Sequence, residues 1–340
     1  MAPTTMRQWT LSGPKNYDAF KLEEGSPVPK VGEYDVLVKI EAASLNYRDI
    51  SIIQGTYPFP VNDPVVPISD AAGTVAEVGT RVIKFKKGDK VMPTFHQALQ
   101  PGSPSLGGNI DGVAREYVSV NESDVVHMPK GYDFVQAATL PCAALTAWDS
   151  FFGLEGRALK PGDWVLTQGT GGVSLFAVQL AKAAGATVVA TTSSAQKAEK
   201  LKALGADHVI NYKDEPEWGK AAKALTPNGT GFQHVIEIGG PGTLQQSLNA
   251  IGRQGVISVI GFVAASEEKM PSILDCLSYG CIARGIFVGS RPQFEDMVKA
   301  IDANGLKPVV DEQVFDFADL PKAYRYMEAQ KHIGKVCVKF

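Results

Sequence analysis

The residues Gly169-Thr170-Gly171-Gly172-Val173-Ser174 directly follow the apolar run Trp164-Val165-Leu166 and precede an apolar, helix-like stretch over 175–181. In this order, strand, glycine turn and helix can hold a pyrophosphate. The first glycine permits the tight turn and the second lets backbone approach the phosphates, which would rest on the free N–H groups and positive dipole of the helix N-terminus. The third glycine position holds Ser174, small enough for close helix–strand packing. The alternative is a glycine-rich turn that only packs.

Charge indicates which dinucleotide fits. A 2′-hydroxyl is usually bound by an Asp or Glu about 20 residues beyond the glycines, and that carboxylate would repel a 2′-phosphate. Here the second strand ends in Thr191-Thr192-Ser193-Ser194, Lys197 follows, and no carboxylate appears before Glu199. Thr192 and Ser193 hydroxyls, the Lys197 ammonium and the phenol of Tyr212 suit a phosphate, so the expected cofactor is NADPH. The alternative for Lys197 is a solvated residue of the next helix.

These side chains need elements to carry them. From about Trp164, apolar runs at 164–168, 186–191, 208–211, 234–238, 255–260 and 282–288 alternate with helical segments. That alternation is the signature of βαβ units, and six strands complete a doubly wound parallel sheet. The first 125 residues read instead as short strands (36–41, 73–78 and 90–92) between Pro, Gly and Asp turns. Residues 97–109 read as a surface loop, and a final strand, 335–340, should return to this first domain. The fold class is therefore α/β, with domains at 1–128, completed by 290–340, and at 129–289.

The 340 residues exceed what one core usually organises, and 44% hydrophobic with 20% charged residues is ordinary for a globular chain. A net charge of -3 leaves no excess positive field for nucleic acid or a membrane surface. No run approaches the roughly 20 apolar residues of a membrane helix. Four scattered cysteines, Cys142, Cys276, Cys281 and Cys337, fit a reducing compartment, and the expected location is cytoplasmic.

With these residues in view the chain resembles the medium-chain dehydrogenase/reductase superfamily, in its zinc-free quinone oxidoreductase and enoyl reductase branch. Besides the glycine turn, the resemblance rests on Asn46-Tyr47-Arg48-Asp49, Gln54-Gly55-Thr56-Tyr57-Pro58, Gly73-Thr74-Val75-Ala76-Glu77-Val78-Gly79 and Lys87-Gly88-Asp89-Lys90-Val91. Leu145-Thr146-Ala147, Lys160-Pro161-Gly162-Asp163, Leu204-Gly205-Ala206-Asp207 and Gly334-Lys335-Val336 extend it along the whole chain. The resemblance implies a GroES-like catalytic β domain, a six-stranded Rossmann domain and a homodimer paired through the edge strand near 282–288. It also implies cofactor contacts from Thr146, Gly261, Phe262, Phe287 and Val288.

In the family pattern, the catalytic zinc ligands fall at Asn46, Ser69 and Cys142. Only the cysteine is a good ligand, and no cysteine lies between Phe85 and Leu140, where related enzymes carry a structural zinc. The expected site holds no metal. Asn46 resembles the residue facing the nicotinamide ribose or substrate. Tyr57 resembles the proton donor of enoyl thioester reductases, although related quinone reductases carry an aromatic there without that role. Asp49 and Asp70 read as members of a buried ion-pair network, Cys142 as a small buried hydrophobe, and His96 and His127 as structural. The implied reaction is hydride transfer from NADPH to a small electrophile: a quinone, enone, enal or enoyl thioester. A carbonyl or alcohol reductase, or an NADPH-binding protein with little turnover, remains the alternative.

Overall fold

The computed structural model describes residues 3–13, 16–97, 104–262 and 270–340. Two compact units result, one of Met1–Leu145 with Ser290–Phe340 and one of Thr146–Gly289.

The first unit is built on β-structure. Strands β1 (Thr5–Leu11) and β2 (Phe20–Pro27) form an antiparallel pair. A seven-stranded sheet contains β3 (Asp35–Ser44), β4 (Asp70–Val78), β5 (Lys90–Pro93), β6 (Tyr117–Asn121) and β7 (Val125–His127). It is completed by β14 (Val310–Asp316) and β15 (Lys335–Lys339), in the order β14-β15-β3-β4-β5-β7 with β6 also paired to β3. The last strand does return, antiparallel to β3, with Cys337 opposite Ser44. Val36, Val38 and Ile40 of β3 are buried in one core with Val336 and Val338 of β15, so the two ends of the chain share apolar surface. Helices α1 (Tyr47–Gln54), α2 (Phe134–Ala138), α9 (Arg291–Asn304) and α10 (Leu320–Glu328) accompany the sheet.

The segment 129–145, assigned to the second domain on its helical, apolar pattern, belongs to the first unit. Its α2 packs on β3 and β4, and Ser44 Oγ donates to Ala138 O at 2.9 Å. An apolar helix face does not reveal which sheet it will cover. The 97–109 loop lies partly outside the described residues, but its two arms are joined by Gln97 N donating to Pro104 O.

In the second unit a six-stranded parallel sheet has the order β10-β9-β8-β11-β12-β13. The strands are β8 (Trp164–Gln168), β9 (Thr187–Thr192), β10 (His208–Asn211), β11 (Phe232–Glu237), β12 (Ile251–Val259) and β13 (Ile282–Gly285). Helices α3 (Leu145–Phe152), α4 (Gly172–Ala183), α5 (Ala195–Ala203), α6 (Trp218–Leu225), α7 (Leu244–Ala250) and α8 (Asp275–Tyr279) complete the element order. This strand order, with its reversal beside β8, is that of a dinucleotide-binding sheet. The edge strand ends at Gly285, short of the expected 288, and beyond it Val288 adopts a φ of +64°. Among the described residues no helix is long and apolar enough to cross a membrane.

One buried group makes this unit acid-sensitive. His234 on β11 is only 3% exposed, its Nδ1 has no partner, and its ring meets that of Phe151 at 5.7 Å. Burial lowers its pKa from 6.5 to about 4. The unfolded chain therefore takes up the proton first, and stability is lost as pH falls from about 6.5 toward 4, by at most roughly 1.4 kcal/mol per pH unit. Asp49 works in the opposite sense, since burial raises its pKa to about 6. Comparing wild type with His234→Leu isolates the histidine. The drop in Tm between pH 7.5 and pH 5 should be smaller in the variant, and equal drops in both proteins would remove His234 as the cause.

Candidate active site and cofactor turn

The glycine turn sits at the carboxyl end of β8. Gly169 adopts a φ of +73° and its N–H donates to Thr191 O at 2.9 Å, joining the ends of β8 and β9. Gly171 is the N-cap of α4, no side chain caps this helix, and the space over the Gly171 Cα is open. The N–H groups of Gly172, Val173 and Ser174 thus open the helix as an anion-binding turn. Ser174 is 1% exposed, and its hydroxyl donates to Gln168 O at 2.5 Å, so the non-glycine residue at the third position closes the helix onto the strand.

The other expected cofactor residues follow the carboxyl ends of the neighbouring strands. Thr192 ends β9, buried, with its Oγ1 lacking a partner. Ser193 comes next, and Ser194 caps α5 by accepting from Lys197 N at 3.3 Å, which places the half-buried Lys197 in the first helical turn. Tyr212 follows β10, exposed, and donates its backbone N–H to Thr192 O at 3.0 Å. Gly261 and Phe262 lie beyond β12, and Phe287 and Val288 beyond β13. An ideal Cβ on Gly261 would stand 2.2 Å from Ile238 O, so the chain there needs glycine. Thr146 is buried, on α3, and its carbonyl accepts from Ser150 Oγ. The parallel sheet therefore gathers all of these except Thr146 along one edge, where open α/β sheets bind ligands.

Sequence reasoning missed Glu237, which organises this edge. It is fully buried at the end of β11 with no cation beside it. Oε1 accepts from the N–H groups of Gly239 and Gly240, at 2.9 and 2.8 Å, and from Thr243 Oγ1. Oε2 accepts from Gln168 Nε2 at 2.9 Å and from Ser247 Oγ. Five donors offset the desolvated charge and tie the 238–240 turn to the end of β8. The available signal was a carboxylate directly after the apolar pair Val235-Ile236 at the end of β11.

In the first unit, Asn46, Ser69, Asp70, Cys142 and Lys335 form one hydrogen-bonded cluster. Asn46 caps α1, its backbone N–H donating to Asp49 Oδ2 at 2.7 Å and its Nδ2 to Ser69 Oγ at 3.3 Å. Ser69 Oγ donates to Asp70 Oδ1 at 2.7 Å, and Cys142 N to Asp70 Oδ2 at 3.1 Å. Lys335 Nζ donates to Leu45 O at 2.6 Å and to Asn46 Oδ1, and lies 3.9 Å from Asp70 Oδ2. Ile68, just before Ser69, is held at a φ of +69°, a strained conformation for a β-branched residue. Gly107 and Gly112 press against its backbone, where an added Cβ would stand 2.8 and 2.1 Å from Ile68 atoms. That clamp aims the next two residues into the cluster.

Tyr57 follows α1. Its hydroxyl accepts from Arg48 Nε at 3.3 Å, while Arg48 also donates to Leu106 O and stacks its guanidinium on Tyr57 and Phe95. The hydroxyl's own proton has no acceptor among the described residues. Burial raises its pKa, with Arg48 acting against that rise. The ring lines a cavity of about 290 Å³ of mixed character, with Ile52, Phe59 and Val65 beside Ser12, Asn62 and Asp63. Asp49 and Asp70 are ion-paired and buried as expected, at 3.9 Å from Arg48 and Lys335. His96 packs on Phe95, and His127 on Phe85.

Residues 172–303 match the family described as zinc-binding dehydrogenase, and residues 32–130 the alcohol dehydrogenase GroES-like domain. A zinc-type alcohol dehydrogenase-like protein of Schizosaccharomyces pombe is 47% identical over 95% of this chain and 96% of its own. The chain belongs to the medium-chain dehydrogenase/reductase superfamily. A solved Sinorhizobium meliloti protein, provisionally named an alcohol dehydrogenase, is 40% identical and superposes with a TM-score of 0.90 over 100% of both chains. The NADPH-dependent alkenal/one oxidoreductase of Arabidopsis thaliana chloroplasts is 30% identical over 99% of this chain and 80% of its own.

Zinc in this superfamily needs three Cys, His or carboxylate ligands and an open position. The residues here do not fit. Asn46 Oδ1 is bound by an ammonium and the Ser69 hydroxyl is spent on Asp70, so two of the three positions offer no good ligand. No group of three His, Cys, Asp or Glu among the described residues could hold a metal. The dinucleotide of a superfamily oxidoreductase does fit, since the uncapped α4 and the unpartnered Thr192 hydroxyl offer donors at the carboxyl edge.

Proposed function

We propose that this protein is an NADPH-dependent reductase of quinones or activated C=C bonds that works without zinc. The observation that carries this reading is the Lys335–Asn46–Ser69–Asp70 cluster standing where the superfamily's metal ligands fall. Without a Lewis acid the acceptor must be electrophilic by itself and be helped by hydrogen bonds where charge develops. NADPH, when bound, supplies the hydride and leaves as NADP⁺. The turn 169–173 would hold its pyrophosphate, Thr192, Ser193, Lys197 and Tyr212 its 2′-phosphate, and Thr146, Gly261, Phe262, Phe287 and Val288 the nicotinamide half.

In conjugate reduction the hydride pair bonds to the β-carbon and the π electrons move onto the carbonyl oxygen. An Asn46 N–H would hold that oxygen. The α-carbon then takes the Tyr57 hydroxyl proton, which Arg48 leaves undirected by binding only the oxygen, and the phenolate is reprotonated from water. Carbonyl reduction is the second reading, because relatives carry alcohol dehydrogenase names as well as an alkenal/one oxidoreductase name.

Three measurements test this reading. In titrations, NADPH should bind more tightly than NADH, and Lys197→Glu should narrow or reverse the preference; equal wild-type affinities would remove the phosphate pocket.

Across a panel of quinones, enals, enones, enoyl thioesters and ketones, NADPH oxidation should be fastest with the conjugated acceptors and quinones. Turnover confined to ketones would favour the second reading, and none at all a binding protein. Tyr57→Phe should lower kcat on enones by about 10² to 10⁴, the usual worth of a general acid, and quinone turnover by less than about tenfold. Unchanged rates on both classes would make Tyr57 a packing residue.

We also propose a homodimer paired through β13. That strand ends the sheet, and the preceding segment and α8 expose Ile273, Leu274 and Leu277 at 87%, 72% and 83%. An apolar edge of this kind calls for a cover. Light scattering should give a dimer of the 36.3 kDa chain and a monomer for Ile273→Glu/Leu277→Glu; a monomeric wild type would sink the assignment.

A further inference from the structure

Lys335 is a buried ammonium, 3% exposed, at the start of β15, with two of its protons accepted by Leu45 O and Asn46 Oδ1. Its bond to Asn46 settles which way the Asn46 amide faces. An ammonium has only donors, so the amide oxygen must be the atom it meets. The amide nitrogen is then on the Ser69 side, and Ser69, whose own proton goes to Asp70, can only accept from it. One Nδ2 proton is used in this way. The other has no acceptor among the described residues. A cation on the carbonyl end polarises the amide and strengthens that remaining N–H as a donor.

We propose that Lys335 is a positioning residue for reduction: its ammonium locks and polarises the Asn46 amide so that the remaining N–H binds the oxyanion formed on the acceptor. The proposal rests on the reductase reading for its substrate, but the oxyanion site itself does not. Lys335 and Asn46 together fill the electrostatic role that a metal fills in zinc relatives, with the charge one hydrogen bond further from the substrate. Electron and proton flow are those given above, and Lys335 neither gains nor loses a proton. Asp70 keeps the ammonium in place from its far side, and Leu45 O takes a second of its protons.

Two readouts test the proposal. The first needs no turnover: p-nitrophenol serves as an oxyanion probe, and the visible absorbance of its phenolate is followed against pH with and without saturating protein. Wild type should lower the bound phenol's apparent pKa by about one unit, as a hydrogen-bonded charged form requires. Lys335→Met and Asn46→Ala should each abolish the shift. The second is kinetic. Lys335→Met should reduce enone kcat by about 10² to 10³, the range for loss of one oxyanion donor, with KM changed less than about threefold. Combined with Asn46→Ala it should add nothing further, whereas a merely structural lysine would give additive losses.

Should Lys335→Met fail to fold because Asp70 is left uncompensated, Asp70→Asn/Lys335→Met removes both charges and is read in its place. A wild type without a phenolate shift, a shift retained in the Lys335 variant, or stoichiometric zinc in the purified protein would each overturn the proposal. A wild type that shifts the phenol through Lys335 but reduces no acceptor would support the oxyanion site and refute the reductase reading alone.

Discussion

A lysine ammonium out of contact with water, as at Lys335, is tolerated only where its protons and charge are met inside the fold. Leu45 O and Asn46 Oδ1 accept its protons, and Asp70 supplies the opposite charge. These partners come from the end of β3, the cap of α1 and the start of β4, the first two some 290 residues from the lysine along the chain. The interaction therefore fixes where the C-terminal strand must lie. Removing one partner of such a buried pair typically costs about 3–5 kcal/mol, because the other charge is stranded. The pairing of β15 with β3 and the burial of Val336 and Val338 set the register, and the lysine adds a polar pairing that a shifted register would break.

Glu237 shows a different solution to the same problem. Its carboxylate is equally buried, but its charge is spread over five donors instead of being answered by a cation. A donor cage of this kind fixes backbone directly, because two of the donors are main-chain N–H groups. The result is a rigid turn at the carboxyl edge of the sheet, beside the glycine turn at Gly169.

The cluster around Asn46 is kept in place partly by strain. Ile68 occupies a conformation that β-branched residues avoid, and two glycines, Gly107 and Gly112, leave its backbone no alternative. The cost is met by the surrounding core, which includes Ile50, Ile53 and Ile68 itself. What is gained is a fixed direction for Ser69 and Asp70. Arg48 has a comparable role for Tyr57: bound to the Leu106 carbonyl and pressed on two rings, it holds the phenol oxygen without taking its proton. Both arrangements position polar groups with fixed partners, which is the condition for electrostatic help without a metal.

By itself, the sequence determined the parallel sheet and the glycine turn. Those features are local: they depend on period and on φ freedom at Gly169. It also placed Thr192, Ser193 and Lys197 after β9, because strand and turn follow one another directly in a βαβ unit. The tertiary structure alone decided that 129–145 covers β3 and β4, since an apolar helix face carries no address. It alone decided that Glu237 is caged and that Lys335 meets Asn46. The partner of Lys335 lies at a separation no local pattern spans. Long-range polar pairing is set by which atoms the packed core brings together, and that is written in the whole chain and not in any window of it.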